Sequence, residues 1–189
     1  MPDMPNEALS DEQLVEQLRA GRSGAADELA RRYWPAIVRF CDSYLGDHAG
    51  AEDVAQDTFA TLTDASKLPE GAIRPWLYKV ARNRCLDILR RHQRSPTHDH
   101  KIRTGFDAPQ RTSGPRTKAA RTERQELIRS IISSMPEDYR SVLVLKFYEG
   151  LSRDEMAAAL GVSEATVKGR LVRASEYLEE QLRKITGSA

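Results

Sequence analysis

The sequence predicts an all-α protein, with two small helical bundles joined by a flexible basic linker and a helix-turn-helix in the C-terminal bundle. Two observations support this fold class. Apolar residues recur at helical spacing along most of the chain, and the sequence contains neither the alternation of a strand nor an internal repeat. Between residues 93 and 122 the periodicity stops, and Pro, Gly, Ser and Thr become frequent, as in linkers. The expected divisions are therefore residues 1–92, 93–122 and 123–189.

Charge is distributed unevenly along the chain, although the net charge is only +1. Residues 1–64 hold five Lys and Arg against thirteen Asp and Glu, whereas residues 65–92 and 93–122 each hold seven against two. An acidic first third and a basic middle indicate two different partners, and the basic part suits nucleic acid. The sequence has no run of eighteen apolar residues and no signal-peptide core, so we expect a cytoplasmic protein without membrane insertion.

The N-terminal bundle is expected to contain four helices. Ser10 and Gln13 form a capping box for the first of them. Pro35 is expected to break or kink the second helix after Trp34. Polar and turn-forming residues make 63–71 a loop. The predicted helices cover residues 11–19, 25–45, 49–62 and 72–92.

The fourth helix combines cations with aromatic residues near its start. Trp76 and Tyr78 lie among these cations. Such interleaving recurs where proteins hold single-stranded nucleic acid, because bases stack on rings while cations follow phosphates. A core Trp76 beside a solvated basic face accounts for the same pattern, so both interpretations stay open. The basic residues are Arg74, Lys79, Arg82, Arg84, Arg90 and Arg91.

The C-terminal bundle is expected to contain about four helices. The first covers residues 123–134 and is broken at Met135. Pro136 suits the first position of the next helix, which Gly150 closes. The predicted inward residues of that second helix are Tyr139, Val142, Leu143 and Phe147.

Residues 151–178 carry the strongest functional signal, a helix-turn-helix. Ser152 and Glu155 form a capping box, and Gly161 follows where a helix end favours a left-handed residue. Ser163 then caps a second helix. Two short helices joined through such a turn form the motif that places its second helix in a DNA major groove. The outward face of the second helix carries Thr166, Lys168, Arg170 and Arg173.

No pattern in the sequence indicates catalysis, and we expect no cofactor and no metal. His98 and His100 form a poor metal site because no thiolate accompanies them. An acidic helix face around Asp53 and Asp57 lacks the pocket that would separate two carboxyl pKa values, so a docking surface for a basic partner is the better interpretation. A small metal-dependent hydrolase that uses the histidines is the enzymatic alternative.

Cys41 and Cys85 both lie in helical patterns. We expect buried thiols rather than a disulfide, because a cytoplasmic protein keeps its thiols reduced. Cationic neighbours of Cys85 could lower its thiol pKa, which leaves a redox role open.

Three segments together resemble the bacterial RNA polymerase sigma factors of the extracytoplasmic-function (ECF) class. Residues 46–62, GDHAGAEDVAQDTFATL, are similar to region 2.2 of that family, and residues 74–91, RPWLYKVARNRCLDILRR, to region 2.4. Residues 135–178 are similar to region 4. The resemblance implies a transcription initiation factor that binds core RNA polymerase, reads −35 and −10 promoter elements and helps to melt DNA.

The resemblance also implies roles for individual positions. The residues that this resemblance implies for docking on the β′ clamp helices of the polymerase are Asp53, Gln56, Asp57 and Phe59. Those implied for contact with the −10 element are Lys67, Leu68, Arg74, Trp76, Lys79, Arg82, Asn83 and Arg84. Those implied for contact with the −35 element are Ser163, Thr166, Lys168, Gly169, Arg170, Val172 and Arg173. The polymerase β flap and an anti-sigma factor are further implied partners.

The alternative function is a helix-turn-helix transcriptional regulator that does not bind core polymerase. It would use the same DNA-reading helix on palindromic DNA, as a symmetric dimer. It leaves the acidic helix and the Trp-Leu-Tyr segment that begins at Trp76 unexplained. The linker would allow the two bundles either to pack together or to stay apart.

Overall fold

The computed structural model describes residues 9–22, 24–94, 127–128, 130–132 and 134–186. This part of the chain is helical and contains no strand, which confirms the all-α expectation. The described residues between 127 and 134 are helical as well. The N-terminal helices are α1 (Asp11–Arg19), α2 (Ala25–Leu45), α3 (His48–Ala60) and α4 (Ile73–Arg94). The C-terminal helices are α5 (Glu137–Leu143), α6 (Arg153–Leu160) and α7 (Glu164–Thr186).

Helix α2 is the centre of the N-terminal bundle, and α1, α3 and α4 all pack on it. Its buried face includes Phe40, whose ring meets Tyr78 of α4 edge-on with centroids 5.1 Å apart. Cys41 and Cys85 are buried free thiols, as predicted. The hydrogen bond with Cys85, together with burial, raises the pKa of the Cys41 thiol well above its ordinary value.

Pro35 does not break α2, which runs from Ala25 to Leu45 with the proline inside it. Of the predicted break or kink, the break was therefore wrong. Pro35 removes the N–H that would bond the carbonyl of Arg31, and both residues lie on the exposed face of the helix. Water can reach that carbonyl there, so the helix continues while its opposite face stays packed.

The helix that begins at α5 changes its winding before it ends. Residues Val144–Tyr148 form a π-helical turn, and Gly150 closes the segment with a φ of 64°. A π turn inserts one extra residue and rotates the residues that follow. Phe147 is therefore 71% exposed instead of inward, while Val144 and Leu145 are buried in its place. Pro136 is the N-cap residue of α5, so the helix begins at Glu137, one position after the predicted start.

The helix-turn-helix has the predicted local structure. The reciprocal capping box of Ser152 and Glu155 opens α6, and Gly161 ends it with a φ of 67°. The hydroxyl of Ser163 accepts a hydrogen bond of 3.1 Å from the backbone N–H of Thr166, which caps α7. Both caps satisfy backbone groups that a helix end would otherwise leave without partners.

The two bundles pack against each other. Helix α4 of the N-terminal bundle lies along α6 of the C-terminal bundle, and α2 approaches the π turn. Buried apolar residues of both bundles, from Leu14 to Ala174, form one continuous core. The sequence left this packing open, and the structure shows the chain in a closed arrangement.

A group of charged side chains fastens α1 to the start of α2. The carboxylate of Glu28 is 6% exposed and accepts hydrogen bonds from Arg31 at 2.8 Å and from Arg32 at 2.6 Å. Arg32 also pairs with Asp11 of α1 at 3.0 Å. The two arginines lower the pKa of Glu28 from 4.5 to about 2.

Glu28→Gln should lower the melting temperature at pH 7 by several degrees, because Arg31 and Arg32 lose their shared anion. A lowered folded-state pKa stabilises the fold fully above pH 4.5, and this contribution is lost as the pH falls through about 2. Thermal unfolding followed by circular dichroism should therefore show the melting temperatures of wild type and Glu28→Gln converging between these pH values. A difference in melting temperature that stays constant down to pH 2 would contradict the lowered pKa of Glu28.

Candidate nucleic-acid and polymerase interfaces

The outward side of α7 is the predicted −35 surface. Val167 and Ala174 on its opposite side are fully buried, which fixes the direction in which the polar side faces. Arg170 is the exception among the predicted residues, because its guanidinium pairs with Asp138 of α5 at 2.9 Å and is mostly covered. The exposed members of the predicted set are Ser163, Thr166, Lys168, Gly169, Val172 and Arg173.

The predicted polymerase-docking residues lie on α3 but do not share one environment. Asp53, Gln56 and Asp57 are exposed along one side of the helix. Phe59 is buried and stacks on Trp34 of α2, with ring centroids 5.8 Å apart. The structure therefore brings the polar residues together as an acidic ridge and places Phe59 in the packing beneath it.

The connection between α3 and α4 is more ordered than the predicted loop. It contains 3-10 turns at Thr61–Thr63 and Ala65–Lys67. The carboxylate of Asp64 accepts a hydrogen bond of 2.6 Å from the Ser66 hydroxyl and pairs with Lys67 at 3.0 Å. These contacts lower the pKa of Asp64 to about 2. Leu68 is buried as an anchor, while Lys67 stays exposed.

The aromatic residues at the start of α4 differ in their surroundings. Tyr78 is buried in the core, and its hydroxyl donates to Oε2 of Glu149 at 2.9 Å. Trp76 is partly buried against the same core. Lys79 and Asn83 are exposed. Of the two aromatic residues that lie among the cations of α4, Tyr78 therefore belongs to the core. The two rings do not form a pair on which bases could stack in this arrangement.

Two of the predicted −10 arginines face the C-terminal bundle. Arg82 donates to both carboxylate oxygens of Glu137, with Nε to Oε1 at 2.9 Å and Nη2 to Oε2 at 3.0 Å. Arg74 lies 3.2 Å from Oε1 of Glu155, and its Nη2 donates to the backbone carbonyl of Glu149 at 2.5 Å. Both guanidiniums are thus engaged across the interface between the bundles.

Arg84 is engaged within the N-terminal bundle. Its Nη1 lies 2.6 Å from Oδ2 of Asp57, so an ion pair joins the acidic ridge of α3 to the basic side of α4. Both side chains remain partly exposed. An exposed pair of this kind contributes at most about 1 kcal/mol, so another partner can replace it at low cost.

The sequence did not reveal the carboxylates that meet Arg74 and Arg82. Glu137 looks like an ordinary acidic residue in the first turn of a helix, and 55 residues separate it from Arg82. Glu155 was recognised only as a member of a capping box, and 81 residues separate it from Arg74. No local pattern marks either residue as an arginine partner.

The described residues were also searched for a metal site and for a membrane-spanning helix. Among the residues that the structure describes, no group of three or more His, Cys, Asp and Glu is placed to hold a metal ion. His98 and His100, which the sequence analysis judged a poor metal site, lie outside those residues. Within the same described ranges, no helix is both long and apolar enough to span a membrane.

Comparison with known proteins places the chain in a family. The model described as Sigma-70 region 2 matches residues 29–95, and the one described as Sigma-70, region 4 matches residues 125–178. The ECF RNA polymerase sigma factor SigM of Bacillus subtilis is 30% identical over 155 residues, covering 81% of this chain and 92% of SigM. The chain belongs to the ECF sigma factors.

Further similarities agree with this assignment. The RNA polymerase sigma-H factor of Pseudomonas aeruginosa is 29% identical over 187 residues, covering 95% of this chain and 97% of that protein. The solved structure of CnrH in complex with the cytosolic domain of CnrY has 26% identity and a TM-score of 0.68, covering 92% of this chain and 97% of CnrH. As a sigma factor, the chain directs RNA polymerase to promoters, and α6 with α7 forms its region 4 helix-turn-helix.

Proposed function

We propose that this sigma factor docks on core RNA polymerase through the acidic ridge of α3, reads the −35 element with α7 and holds the −10 element with α4 and the preceding turns. The observation that carries the proposal is the separation of two exposed faces of different chemistry, one on each bundle. Asp53 and Asp57 define the acidic face, and Lys168 and Arg173 the basic one. In this proposal the chain has no catalysis of its own.

Polymerase docking rests on the carboxylates of α3. Exposed Asp53, Gln56 and Asp57 present acceptors for a basic partner, which we take to be the β′ clamp helices. Buried Phe59 supports the ridge from below by stacking on Trp34. The β flap is the proposed partner of the C-terminal bundle. The likeness to CnrH, solved with the cytosolic domain of CnrY, supports an anti-sigma factor as a further partner.

Promoter reading divides into two kinds of contact. Lys and Arg side chains neutralise phosphates and provide affinity that depends on salt, whereas a few side chains distinguish bases. On α7, Thr166 and Arg173 are suited to base edges and Lys168 to phosphate. A Cβ at Gly169 would meet nothing within 4 Å, so the bare backbone leaves room for close approach of DNA. At the −10 element, the turn around Lys67 and Leu68 would receive an unstacked base.

The domain boundaries follow from the same reasoning. Residues 1–92 form the region 2 domain and residues 123–189 the region 4 domain, with residues 93–122 as a linker. Helix α4 continues to Arg94, two residues into the proposed linker. We place the protein in the cytoplasm, since its polymerase partner acts there.

The direct test is reconstitution of transcription. The purified chain should co-elute with core RNA polymerase in equal amounts. The complex should then initiate from a subset of genomic fragments that share −35 and −10 motifs. Binding to palindromic DNA as a dimer, without binding to core polymerase, would replace this proposal with the plain regulator.

Asp53→Asn should weaken the affinity for core polymerase by about tenfold, the order of one lost charge-assisted hydrogen bond. The selected promoter motif should not change, because α7 is untouched. Asp87→Asn serves as the matched control, since Asp87 is an exposed aspartate on α4 and not on α3. Fluorescence anisotropy with labelled chain measures both affinities. Equal affinities of Asp53→Asn and wild type for core polymerase would show that α3 is not the docking surface.

Arg173→Ala should weaken holoenzyme binding to the selected promoter duplex by about tenfold, as expected for one lost arginine contact with a base. Arg183→Ala is the control, because Arg183 is an exposed arginine near the other end of α7. Filter binding at one fixed salt concentration compares the two variants. Equal losses of promoter affinity in Arg173→Ala and Arg183→Ala would mean that α7 contributes only general positive charge.

A further inference from the structure

Arg19, at the C-terminal end of α1, reaches the connection between α3 and α4. Its Nη2 donates a hydrogen bond of 2.5 Å to the backbone carbonyl of Pro69, which lies 50 residues further along the chain. Pro69 directly follows Leu68, in the turn that is proposed to receive a base of the −10 element. The proposed function gives no role to α1, so this contact links an unassigned helix to the proposed base-reading turn.

The first half of this connection is held by local contacts. The carboxylate of Asp64 accepts a hydrogen bond of 2.6 Å from the Ser66 hydroxyl and pairs with Lys67 at 3.0 Å. The backbone N–H of Lys67 also donates to the carbonyl of Asp64 at 3.0 Å. This half therefore keeps its shape without help from another helix.

The second half, residues 69–71, has no such local support. Among the residues that the structure describes, the hydrogen bond from Arg19 is the only one that these three residues make. They lie between two apolar anchors, Leu68 and Ile73, which are 9% and 2% exposed. A single polar contact from α1 therefore holds the segment that leads from the proposed base-reading turn to α4.

Helix α1 is itself firmly attached at its other end. Asp11 pairs with Arg32 of α2 at 3.0 Å and accepts a hydrogen bond from the hydroxyl of Tyr33. Leu14 and Val15 of α1 are buried in the core. A side chain that extends from a packed helix is placed more precisely than one on a mobile segment. Helix α1 can therefore serve as a rigid support for residues 69–71.

A fixed turn matters because of what reading an unstacked base requires. A base that leaves the DNA stack loses its stacking and pairing energy, and ordering a mobile turn around it would add a further cost. A mobile turn could also adjust its shape to different bases, as promiscuous binding surfaces do. Discrimination between bases therefore depends on how well the turn is held before DNA arrives.

We propose that Arg19 is a positioning residue of the −10 site: by holding the Pro69 carbonyl, it fixes the turn around Lys67 and Leu68 in the shape that distinguishes bases. Arg19 acts through the turn and does not itself read the base. This inference rests on the proposed role of the turn at the −10 element. It adds α1 to the elements that determine promoter choice.

The first measurement tests the contact in the free chain. Backbone amide relaxation measured by NMR gives order parameters for Glu70 and Gly71, which should fall in Arg19→Ala because residues 69–71 lose their hydrogen bond. Arg22→Ala is the matched control, since Arg22 is an exposed arginine just beyond the end of α1, and it should match wild type. Both replaced side chains are exposed, so both variants should fold, and thermal unfolding checks this. Unchanged order parameters in Arg19→Ala would overturn the proposal.

The second measurement tests base reading by the complex with core polymerase. Each −10 position of the selected promoter is randomised in turn, and transcript counts give the ratio between the most and the least favoured base. In Arg19→Ala this ratio should fall by about fivefold, the order of one hydrogen bond, at the positions where Lys67→Ala also lowers it. Base preferences at the −35 element should not change, because α7 is untouched. Arg22→Ala, which removes the same charge, should leave both sets of preferences as in wild type.

Arg19→Lys tests whether the hydrogen bond is the cause. Lysine keeps the positive charge and an N–H donor on a long side chain, so it can still donate to the Pro69 carbonyl. The −10 preferences of Arg19→Lys should therefore lie closer to wild type than those of Arg19→Ala. Preferences as weak as in Arg19→Ala would count against the hydrogen bond.

The outcomes separate failure of this inference from failure of the proposed function. If Lys67→Ala weakens a −10 preference and Arg19→Ala does not, the turn reads the element without help from α1, and the inference is wrong. If Lys67→Ala changes no −10 preference, the proposed −10 role of the turn is wrong, and the inference falls with it. Equal losses of transcription in Arg19→Ala and Arg22→Ala at every promoter variant would show an effect of net charge alone, which would also overturn the inference.

Discussion

An arginine side chain that is covered by protein is stable only beside an anion, and this constraint shapes the interface between the two bundles. Arg39, Arg74 and Arg82 all point from the N-terminal bundle toward carboxylates of the C-terminal bundle. Burial of a guanidinium without such a partner would cost several kcal/mol. The apolar core alone would allow several ways to pack one helix on another. The paired charges select the one in which α4 lies along α6.

The same constraint connects the fold to its function. A surface that binds DNA needs cations, and burying a cation is energetically costly unless an anion pairs with it. The chain supplies these anions from its own region 4 domain. The ion pair between Asp57 and Arg84 repeats the arrangement on a smaller scale, since it joins a residue of the proposed docking ridge to a residue of the proposed −10 surface.

Local features could be predicted from the sequence, and features that depend on distant partners could not. Both capping boxes and the left-handed Gly161 were predicted, because a cap involves residues only three or four positions apart. Phe147 was predicted on the wrong side, since a π turn follows from packing rather than from residue preference. The polar face of α7 was found from its helical spacing. The partners of Arg74 and Arg82 were missed because 81 and 55 residues separate the paired side chains.

The most direct test of the proposed function is site-specific cross-linking in the complex of the chain, core polymerase and promoter DNA. A photoreactive residue replaces either Thr166 on α7 or Lys67 in the turn before α4, both of which are exposed. The proposed function predicts cross-links from position 166 to the −35 element and from position 67 to the −10 element. Cross-links from both positions to the same element, or from neither position to promoter DNA, would contradict it.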